Sequence, residues 1–271
     1  MSALEAIVLG IVQGLTEFLP ISSTAHLRIV PAMAGWEDPG AAFTAVTQLG
    51  TMAAVLLYFR LDLWRIARAS LAGLRDPVVR RTLDARLGLY IVLGTIPIAV
   101  FGLLFSDQIE NGARSLTLIG CTLIALGLLL LAAERAGSHE RDIETFGARD
   151  GVIIGFAQAL ALVPGVSRSG ATLTAGLFLG FERRAAARYS FLLSVPAVVL
   201  SGLFEARHIG EPGSAAALPT AIATVAAFVV GYASIAFLLR FLTNHSTAVF
   251  VAYRVALGVV VLALVSAGAI E

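Results

Sequence analysis

Two segments of this chain are copies of one another, and each interrupts an apolar run with proline, serine and threonine. They span Gly10–His26 and Gly155–Thr172. Between them they hold Glu17, His26 and Arg168 in otherwise apolar surroundings. Ionisable side chains are costly inside a membrane unless they are paired or face water, so these three positions are candidates for function. The matched positions are Gly10 with Gly155, Gln13 with Gln158, Pro20 with Pro164 and Ser23 with Ser167.

The overall composition indicates an integral membrane protein. Hydrophobic residues make up 58% of the chain and charged residues 14%, and the mean hydropathy is +0.88. A soluble domain is about half apolar and about one quarter charged. A net charge of +1 without a basic-aromatic pattern argues against nucleic acid as a partner. The single Cys121 excludes an intramolecular disulfide, and we expect it to pack in the core. The start M-S-A-L-E-A lacks a basic n-region, so we expect no cleaved signal peptide.

Long and short apolar runs alternate in a pattern that predicts the fold class. Six runs are long enough to cross about 30 Å of hydrocarbon. They lie near 42–59, 87–105, 116–133, 189–205, 218–239 and 249–268. The stretches 4–34 and 151–180 instead break at Pro20 and Pro164 between two half-length helices, which is typical of re-entrant hairpins. We therefore predict a single all-α polytopic membrane domain over 1–271, with about six transmembrane helices and two re-entrant helical hairpins.

The distribution of arginine predicts an inverted repeat. If the hairpins do not cross the membrane, fourteen arginines fall on one side and only Arg114 and Arg207 on the other. The fourteen lie in the predicted loops 60–86, 134–150 and 181–188 and at Arg240, which begins a fourth loop. By the positive-inside rule, both termini are then outside. Each half, 1–140 and 141–271, holds one hairpin and three spans, so the halves are oppositely oriented and the hairpin tips meet inside the membrane. A weaker match at a similar offset pairs Phe43 with Tyr189 and Gln48 with Ser194.

The first hairpin carries candidate groups for a metal, an anion and proton transfer. Gln13 and Glu17 are four residues apart and share one helix face, where their oxygens could ligate a hard divalent cation such as Mg²⁺ or Ca²⁺. After Pro20, the hydroxyls of Ser22, Ser23 and Thr24 suit both helix capping and phosphate binding. His26 is a candidate general acid or base, or a nucleophile toward phosphorus.

The second hairpin carries a candidate anion clamp. Pro164, Gly165 and Gly170 allow a tight turn whose amides can approach an anion. Arg168 is suited to bind phosphate oxygens in a bidentate manner. Ser167, Ser169 and Thr172 supply hydroxyl donors or caps. In the last span we expect Arg254 to snorkel to the interface, and we leave the role of Arg28 open.

A carboxylate, hydroxyls, a histidine and an arginine together suit phosphoryl transfer, and a membrane location implies a lipid-linked phosphate. Two sequence motifs in this chain are specific. The first is (E/Q)-x-x-x-E followed by F-L-P-I-S-S-T-A-H, and the second is P-G-x-S-R-S-x-x-T. Through them nearly the whole chain resembles the bacterial undecaprenyl-pyrophosphate phosphatases associated with bacitracin resistance. That resemblance implies release of the terminal phosphate of undecaprenyl diphosphate to regenerate the carrier for peptidoglycan synthesis. It also implies dependence on a divalent metal, a site open to the outer face of the bacterial inner membrane, and a fold of inverted repeats.

By the same resemblance, Glu17 with Gln13 would hold the metal or position water, and Arg168 would bind the diphosphate. Ser23 or His26 would be the nucleophile. Gln13 stands where many members have a second carboxylate, which weakens charge matching to a cation, and Ala25 stands where glycine is common. A rival hypothesis is a transporter or flippase of a polyprenyl phosphate, because broken helices in inverted repeats are a common transporter design. The sequence is compatible with a homodimer and does not determine the oligomeric state.

Overall fold

The computed structural model describes residues 1–105, 115–205 and 216–270, and its regular elements there are helices apart from one isolated bridge between Arg141 and Phe181. The predicted all-α class is confirmed. The first half contains α1 (Ala3–Thr16), α2 (Ser23–Ala34), α3 (Gly40–Tyr58), α4 (Arg60–Gly73), α5 (Pro77–Arg80), α6 (Leu83–Leu104) and α7 (Leu116–Ala136). The second half contains α8 (Ala148–Ala159), α9 (Arg168–Phe178), α10 (Arg183–Glu205), α11 (Ala217–Asn244) and α12 (Ala248–Ser266), with 3₁₀ turns at Ile143–Thr145 and Leu160–Leu162.

Several helices are suited to cross a membrane. Within the described ranges, α6, α7, α11 and α12 are each long and apolar enough, and α3 with α4 adds a fifth if the bent pair is one span. The polytopic architecture is thereby confirmed, whereas the number six stays a prediction. Helix α10 is 23 residues long but begins with Arg183 and Arg184 and carries Arg188 in its second turn, which makes its composition less apolar.

The segment after α3 is helical, although the sequence predicted a loop there. Helix α4 bends away from α3 by 77°. Leu61, Trp64 and Leu71 are each exposed by more than two thirds of their surface and recur at helical spacing among arginines. The segment is thus an amphipathic helix. Its charged residues interrupt the apolar ones, so it has a 3.6-residue period but no long apolar run. Arg114 and Arg207, which entered the topology prediction, lie outside the described residues.

Both broken segments form pairs of short helices. Helices α1 and α2 contain 14 and 12 residues, or roughly 21 and 18 Å, which is too short to cross about 30 Å of hydrocarbon. Helices α8 and α9 contain 12 and 11 residues. In each pair the two helices pack against one another, so each segment is a helical hairpin.

Each hairpin packs against spans that belong to the other half of the chain. Helix α1 packs chiefly on α11, and α8 packs chiefly on α6. The repeat-matched glycines permit this close approach: a Cβ on Gly10 would lie 2.4 Å from the Ala223 carbonyl oxygen, and one on Gly155 would lie 2.6 Å from that of Gly94. Small residues at such crossings let membrane helices pack backbone to backbone. The two halves are therefore interlocked, which places the hairpin tips next to each other.

One core assignment from the sequence was wrong. Cys121 is exposed on α7 and does not pack in the interior. A thiol in an apolar run is compatible with either the core or a lipid-facing surface, because lipid tails are as apolar as the protein interior. Composition alone cannot separate these two environments in a membrane helix.

Candidate active site

The two hairpin tips share one backbone geometry. Ser22 and Ser167 both adopt positive φ, at 74° and 69°, and each caps the helix that follows. The Ser22 hydroxyl accepts from the Ala25 amide at 3.4 Å, and that of Ser167 accepts from the Gly170 amide at 3.1 Å. Positive φ is costly for a residue with a Cβ, so both tips hold a strained conformation that their surroundings must stabilise.

This geometry corrects the repeat register at the tips. Ser22 matches Ser167 at the same offset as Gly10 and Gly155, so the sequence pairing of Ser23 with Ser167 was wrong by one residue. The hydroxyl contacts agree, because Ser22 Oγ lies 3.2 Å from Thr24 Oγ1 and Ser167 Oγ lies 3.2 Å from Ser169 Oγ. The shifted proline misled the sequence alignment, whereas the caps keep a constant spacing. Arg168 is thus the equivalent of Ser23.

An acid from the first tip and a guanidinium from the second are in direct contact. Glu17, at the C-terminal end of α1, is 6% exposed. Its Oε1 accepts from Arg168 Nη2 at 2.5 Å. Its Oε2 accepts from Gln13 Nε2 at 2.9 Å and from Ser23 Oγ at 2.6 Å. Four candidate residues from both hairpins therefore form one buried cluster around a single carboxylate.

Two polar atoms of this cluster are buried without a partner in the described part of the chain. They are Gln13 Oε1 and Arg168 Nη1. Buried polar atoms left unsatisfied cost roughly 1–3 kcal/mol each, so native proteins rarely keep them without a reason. One atom is an acceptor that could face a cation or water, and the other is a donor that could face an anion. A site for a metal-bound phosphate requires both an acceptor for the metal and a donor for the phosphate.

His26 is buried on α2, with contacts at both ring nitrogens. Nδ1 lies 2.7 Å from the Ser22 carbonyl oxygen, and Nε2 lies 2.7 Å from the Tyr253 hydroxyl of α12. Ser23 and His26 are three residues apart and lie on the same side of α2. Sequence reasoning did not select Tyr253, because a tyrosine in a span is ordinarily a packing or interfacial residue.

The remaining hydroxyls of the second tip make structural contacts. Ser169 Oγ donates to the Leu19 carbonyl at 3.0 Å and so links the two hairpins directly. Thr172 Oγ1 donates to the Arg168 carbonyl at 2.8 Å and lies 2.6 Å from Ser190 Oγ of α10. Thr172 therefore joins α9 to α10, and its role in substrate binding stays a prediction.

Arg254 is wholly buried, so the expectation that it snorkels was wrong. Its guanidinium donates to four backbone carbonyls at 3.1–3.3 Å. They belong to Pro20 of the first tip, Gly165 and Val166 of the second, and Leu123 of α7. Broken helices leave carbonyls without intrahelical donors, and an arginine with five N–H groups satisfies several at once. The sequence signal was an arginine within a predicted span, and its closeness to both helix breaks is visible only in the fold. Arg28, left open above, pairs with Asp38 at 3.4 Å.

Comparison with known proteins identifies the family. Residues 6–260 match the family model described as bacitracin resistance protein BacA. The chain belongs to the BacA family. It is 56% identical over 268 residues to a Nocardioides protein named undecaprenyl-diphosphatase, covering 98% of each chain. Proteins of the same name from Mycolicibacterium smegmatis and Myxococcus xanthus are 56% and 54% identical, covering 99% of this chain and 98% and 91% of theirs.

In this BacA-family chain the donors for a metal are few. Over the described ranges, no group of three or more His, Cys, Asp or Glu side chains is placed to hold an ion. The Glu17 carboxylate and the unpartnered Gln13 Oε1 are the oxygens at hand. Mg²⁺ binds by one or two carboxylates and takes its other ligands from water and substrate phosphates. The residues therefore fit a cation that is completed by substrate.

The second hairpin of this BacA-family chain has the scaffold of the first but lacks its acid. Gln158 is the counterpart of Gln13 and is fully buried, with no partner for either amide atom in the described part of the chain. Where Glu17 stands in the first hairpin, the same offset places Leu162 in the second. The first tip alone thus contributes the carboxylate, Glu17, and the second tip contributes the guanidinium, Arg168.

Proposed function

We propose that this protein is an integral membrane phosphatase that hydrolyses undecaprenyl diphosphate to undecaprenyl phosphate and inorganic phosphate, recycling the lipid carrier for peptidoglycan synthesis. Membership of the BacA family and the names of its relatives support this activity. The structural observation that carries it is the contact between Glu17 and Arg168, which places a carboxylate that accepts from the Ser23 hydroxyl beside a guanidinium. Phosphoryl transfer needs both elements at one point.

Arg168 and the helix starts beside it form the proposed binding site for the diphosphate. Nη1 of Arg168 is buried without a partner and is available to donate to a phosphate oxygen. Ser22 and Ser167 cap the N-termini of α2 and α9, so the positive dipole ends of both helices lie at the tips. In this proposal Thr24, Ser169, Gly170 and Thr172 shape the tips around the headgroup.

Ser23 is the proposed nucleophile. Its hydroxyl donates to Glu17 Oε2 at 2.6 Å, so the carboxylate is placed to take the proton as attack begins. Ser23 Oγ bonds to the terminal phosphorus, the bond from that phosphorus to the bridging oxygen breaks, and undecaprenyl phosphate leaves. Water then hydrolyses the phosphoserine to release phosphate. His26 is a weaker candidate, because both of its ring nitrogens are already engaged.

Glu17 and Gln13 would hold a divalent cation, Mg²⁺ or Ca²⁺, together with oxygens of the diphosphate. When bound, such a cation would supply positive charge to neutralise the charge that develops on the oxygens of the departing undecaprenyl phosphate. Because Glu17 is also paired with Arg168, we propose that Arg168 shifts toward the phosphate as substrate enters. The carboxylate and guanidinium would then each face a ligand of opposite charge.

The protein is a multi-pass membrane protein, and we propose that it lies in the bacterial inner membrane with the site open to the outer face. Support comes from the arginines of 60–86, 134–150 and 181–188, which mark one side as cytoplasmic. The transporter hypothesis is not favoured, because the relatives carry the name of a phosphatase. The contact between the Ser23 hydroxyl and the Glu17 carboxylate also suits hydrolysis, which needs an activated nucleophile, whereas transport does not.

A phosphate-release assay tests the proposal. Purified protein in lipid nanodiscs, given undecaprenyl diphosphate and Mg²⁺, should release phosphate. Glu17→Ala should lower turnover by several orders of magnitude, and Glu5→Ala, at a partly exposed carboxylate in the first turn of the same helix, should not. Movement of the lipid headgroup between leaflets without phosphate release would support the transporter. Normal turnover in Glu17→Ala would contradict the proposed site.

A further inference from the structure

Helix α12 contributes Tyr253 to the site. This residue directly precedes in sequence Arg254, which contacts both hairpin tips. The hydroxyl of Tyr253 lies 2.7 Å from Nε2 of His26, and the two rings are nearly parallel, with planes 7° apart. His26 is 6% exposed, whereas Tyr253 is 45% exposed. Tyr253 therefore lies between a buried imidazole and the outer surface of the helix bundle.

The partners of His26 define its proton arrangement. The Ser22 carbonyl oxygen can only accept a hydrogen bond, so Nδ1 must carry the hydrogen that bonds to it. In the neutral ring Nε2 then has a lone pair, which accepts from the Tyr253 hydroxyl. The tyrosine thus selects one tautomer and one orientation of the imidazole.

His26 connects Tyr253 to Ser22, the residue that precedes the proposed nucleophile Ser23. The Ser22 carbonyl accepts from the backbone N–H of His26 at 3.3 Å as well as from its ring. Ser22 has the strained left-handed backbone that sets the direction of Ser23. In the second hairpin the matching position is Ala171, whose backbone N–H alone bonds to the Ser167 carbonyl, at 2.8 Å. The imidazole is an additional support found only at the tip that carries the serine and the acid.

We propose that Tyr253 is a positioning residue that acts through His26: its hydroxyl holds the imidazole against the Ser22 carbonyl and so keeps Ser23 aligned with Glu17. This inference rests on the proposed phosphatase activity. Small displacements of a reacting group are costly, since about 1 Å can cost roughly a hundredfold in rate. Loss of the hydroxyl alone, with the ring retained, should cost less than that.

A double-mutant cycle tests the coupling. Tyr253→Phe keeps the ring and should lower kcat roughly tenfold while KM changes by less than twofold, because alignment and not binding is lost. In a His26→Ala background the same substitution should have no further effect. Tyr232→Phe, at a half-exposed tyrosine of α11 that packs on the Tyr58 ring, is the matched control. An equal loss in both backgrounds, or normal kcat in Tyr253→Phe, would overturn the proposal.

A spectroscopic readout separates this proposal from the activity itself. In ¹⁵N spectra of labelled protein in nanodiscs, the His26 signals, assigned by their absence in His26→Gln, should show one protonated and one unprotonated ring nitrogen. Tyr253→Phe should shift the unprotonated signal or produce a second tautomer. An unchanged spectrum would refute the positioning role even if the enzyme is active. A wild-type protein that shows the expected spectrum but releases no phosphate would contradict only the phosphatase proposal.

Discussion

Ser23 and Arg168 occupy equivalent positions in the two halves of the chain: each directly follows a left-handed serine that caps a helix. One repeated backbone scaffold therefore presents a hydroxyl from the first tip and a guanidinium from the second. Both side chains reach Glu17, at 2.6 Å and 2.5 Å. The duplication supplies two matching turns, and their different side chains make one asymmetric site.

Replacing Ser23 with alanine should abolish phosphate transfer and the covalent intermediate. We expect kcat to fall by at least about a thousandfold, since the proposed nucleophile is lost. Substrate labelled on the terminal phosphate, followed by rapid acid quench and mass analysis, should show a phosphorylated peptide containing Ser23 in the wild type. Ser266→Ala, at the exposed end of α12, is the control and should keep the label. A label that persists in Ser23→Ala would assign the nucleophile elsewhere.

Replacing Arg168 with lysine should impair activity even though the charge is kept. The ammonium cannot reproduce the planar fork that contacts Glu17 while leaving Nη1 for phosphate, so we expect kcat/KM to fall roughly a hundredfold. Arg168→Ala should in addition destabilise the fold by about 3–5 kcal/mol, because it leaves a buried carboxylate unpaired. Steady-state kinetics and thermal melts measure the two effects. Arg75→Lys, at an exposed arginine, should change neither.

Two substitutions of Gln13 should shift the dependence of activity on Mg²⁺ concentration in opposite directions. Gln13→Glu adds a second carboxylate and should lower the Mg²⁺ concentration for half-maximal activity roughly tenfold, whereas Gln13→Ala should raise it. Titration of activity against free Mg²⁺, beginning from chelator-treated and inactive protein, gives both values. Full activity of the wild type in excess chelator would exclude the proposed cation.

Replacing Arg254 with methionine should uncouple the hairpin tips. Four carbonyls from three elements would lose their charged donor, and hydrogen bonds to charged groups contribute roughly 1.5–3 kcal/mol each. We therefore expect a loss of several kcal/mol in unfolding free energy and a strong loss of turnover. Arg240→Met, at an exposed arginine near the end of α11, is the matched control for charge removal. Native stability in Arg254→Met would show that the tips are held by other contacts.

Adding a methyl group at the interlocked helix crossings should destabilise both halves alike. The Cβ of Gly10→Ala would lie 2.4 Å from the Ala223 carbonyl oxygen, and that of Gly155→Ala 2.6 Å from the Gly94 oxygen. Overpacking of this kind costs about 1–3 kcal/mol, and thermal melts in detergent measure it. Gly102→Ala, whose Cβ would come no nearer than 3.9 Å to Leu162, should be neutral. A neutral effect at all three glycines would contradict the close crossing.

Several features of this protein could be predicted because their physical causes are local. Apolar runs interrupted at Pro20 and Pro164 predicted helices that break, since a proline clustered with serine, threonine or glycine favours a turn. The costly charges Glu17 and Arg168 marked the candidate site, because a membrane segment rarely keeps them without a task. The register at the tips failed, because a one-residue shift between the prolines outweighed the position of the caps.

The sequence by itself determined the all-α class, the repeat and the side chains of the candidate site. Only the tertiary structure decided that Arg254 is a buried clamp on both tips, that Tyr253 contacts His26, and that Cys121 faces outward. Helix formation depends on neighbours within a few residues, whereas these three outcomes depend on which helix surfaces pack together. In an apolar chain many surfaces are equally hydrophobic, so close glycine crossings and unsatisfied carbonyls choose among them.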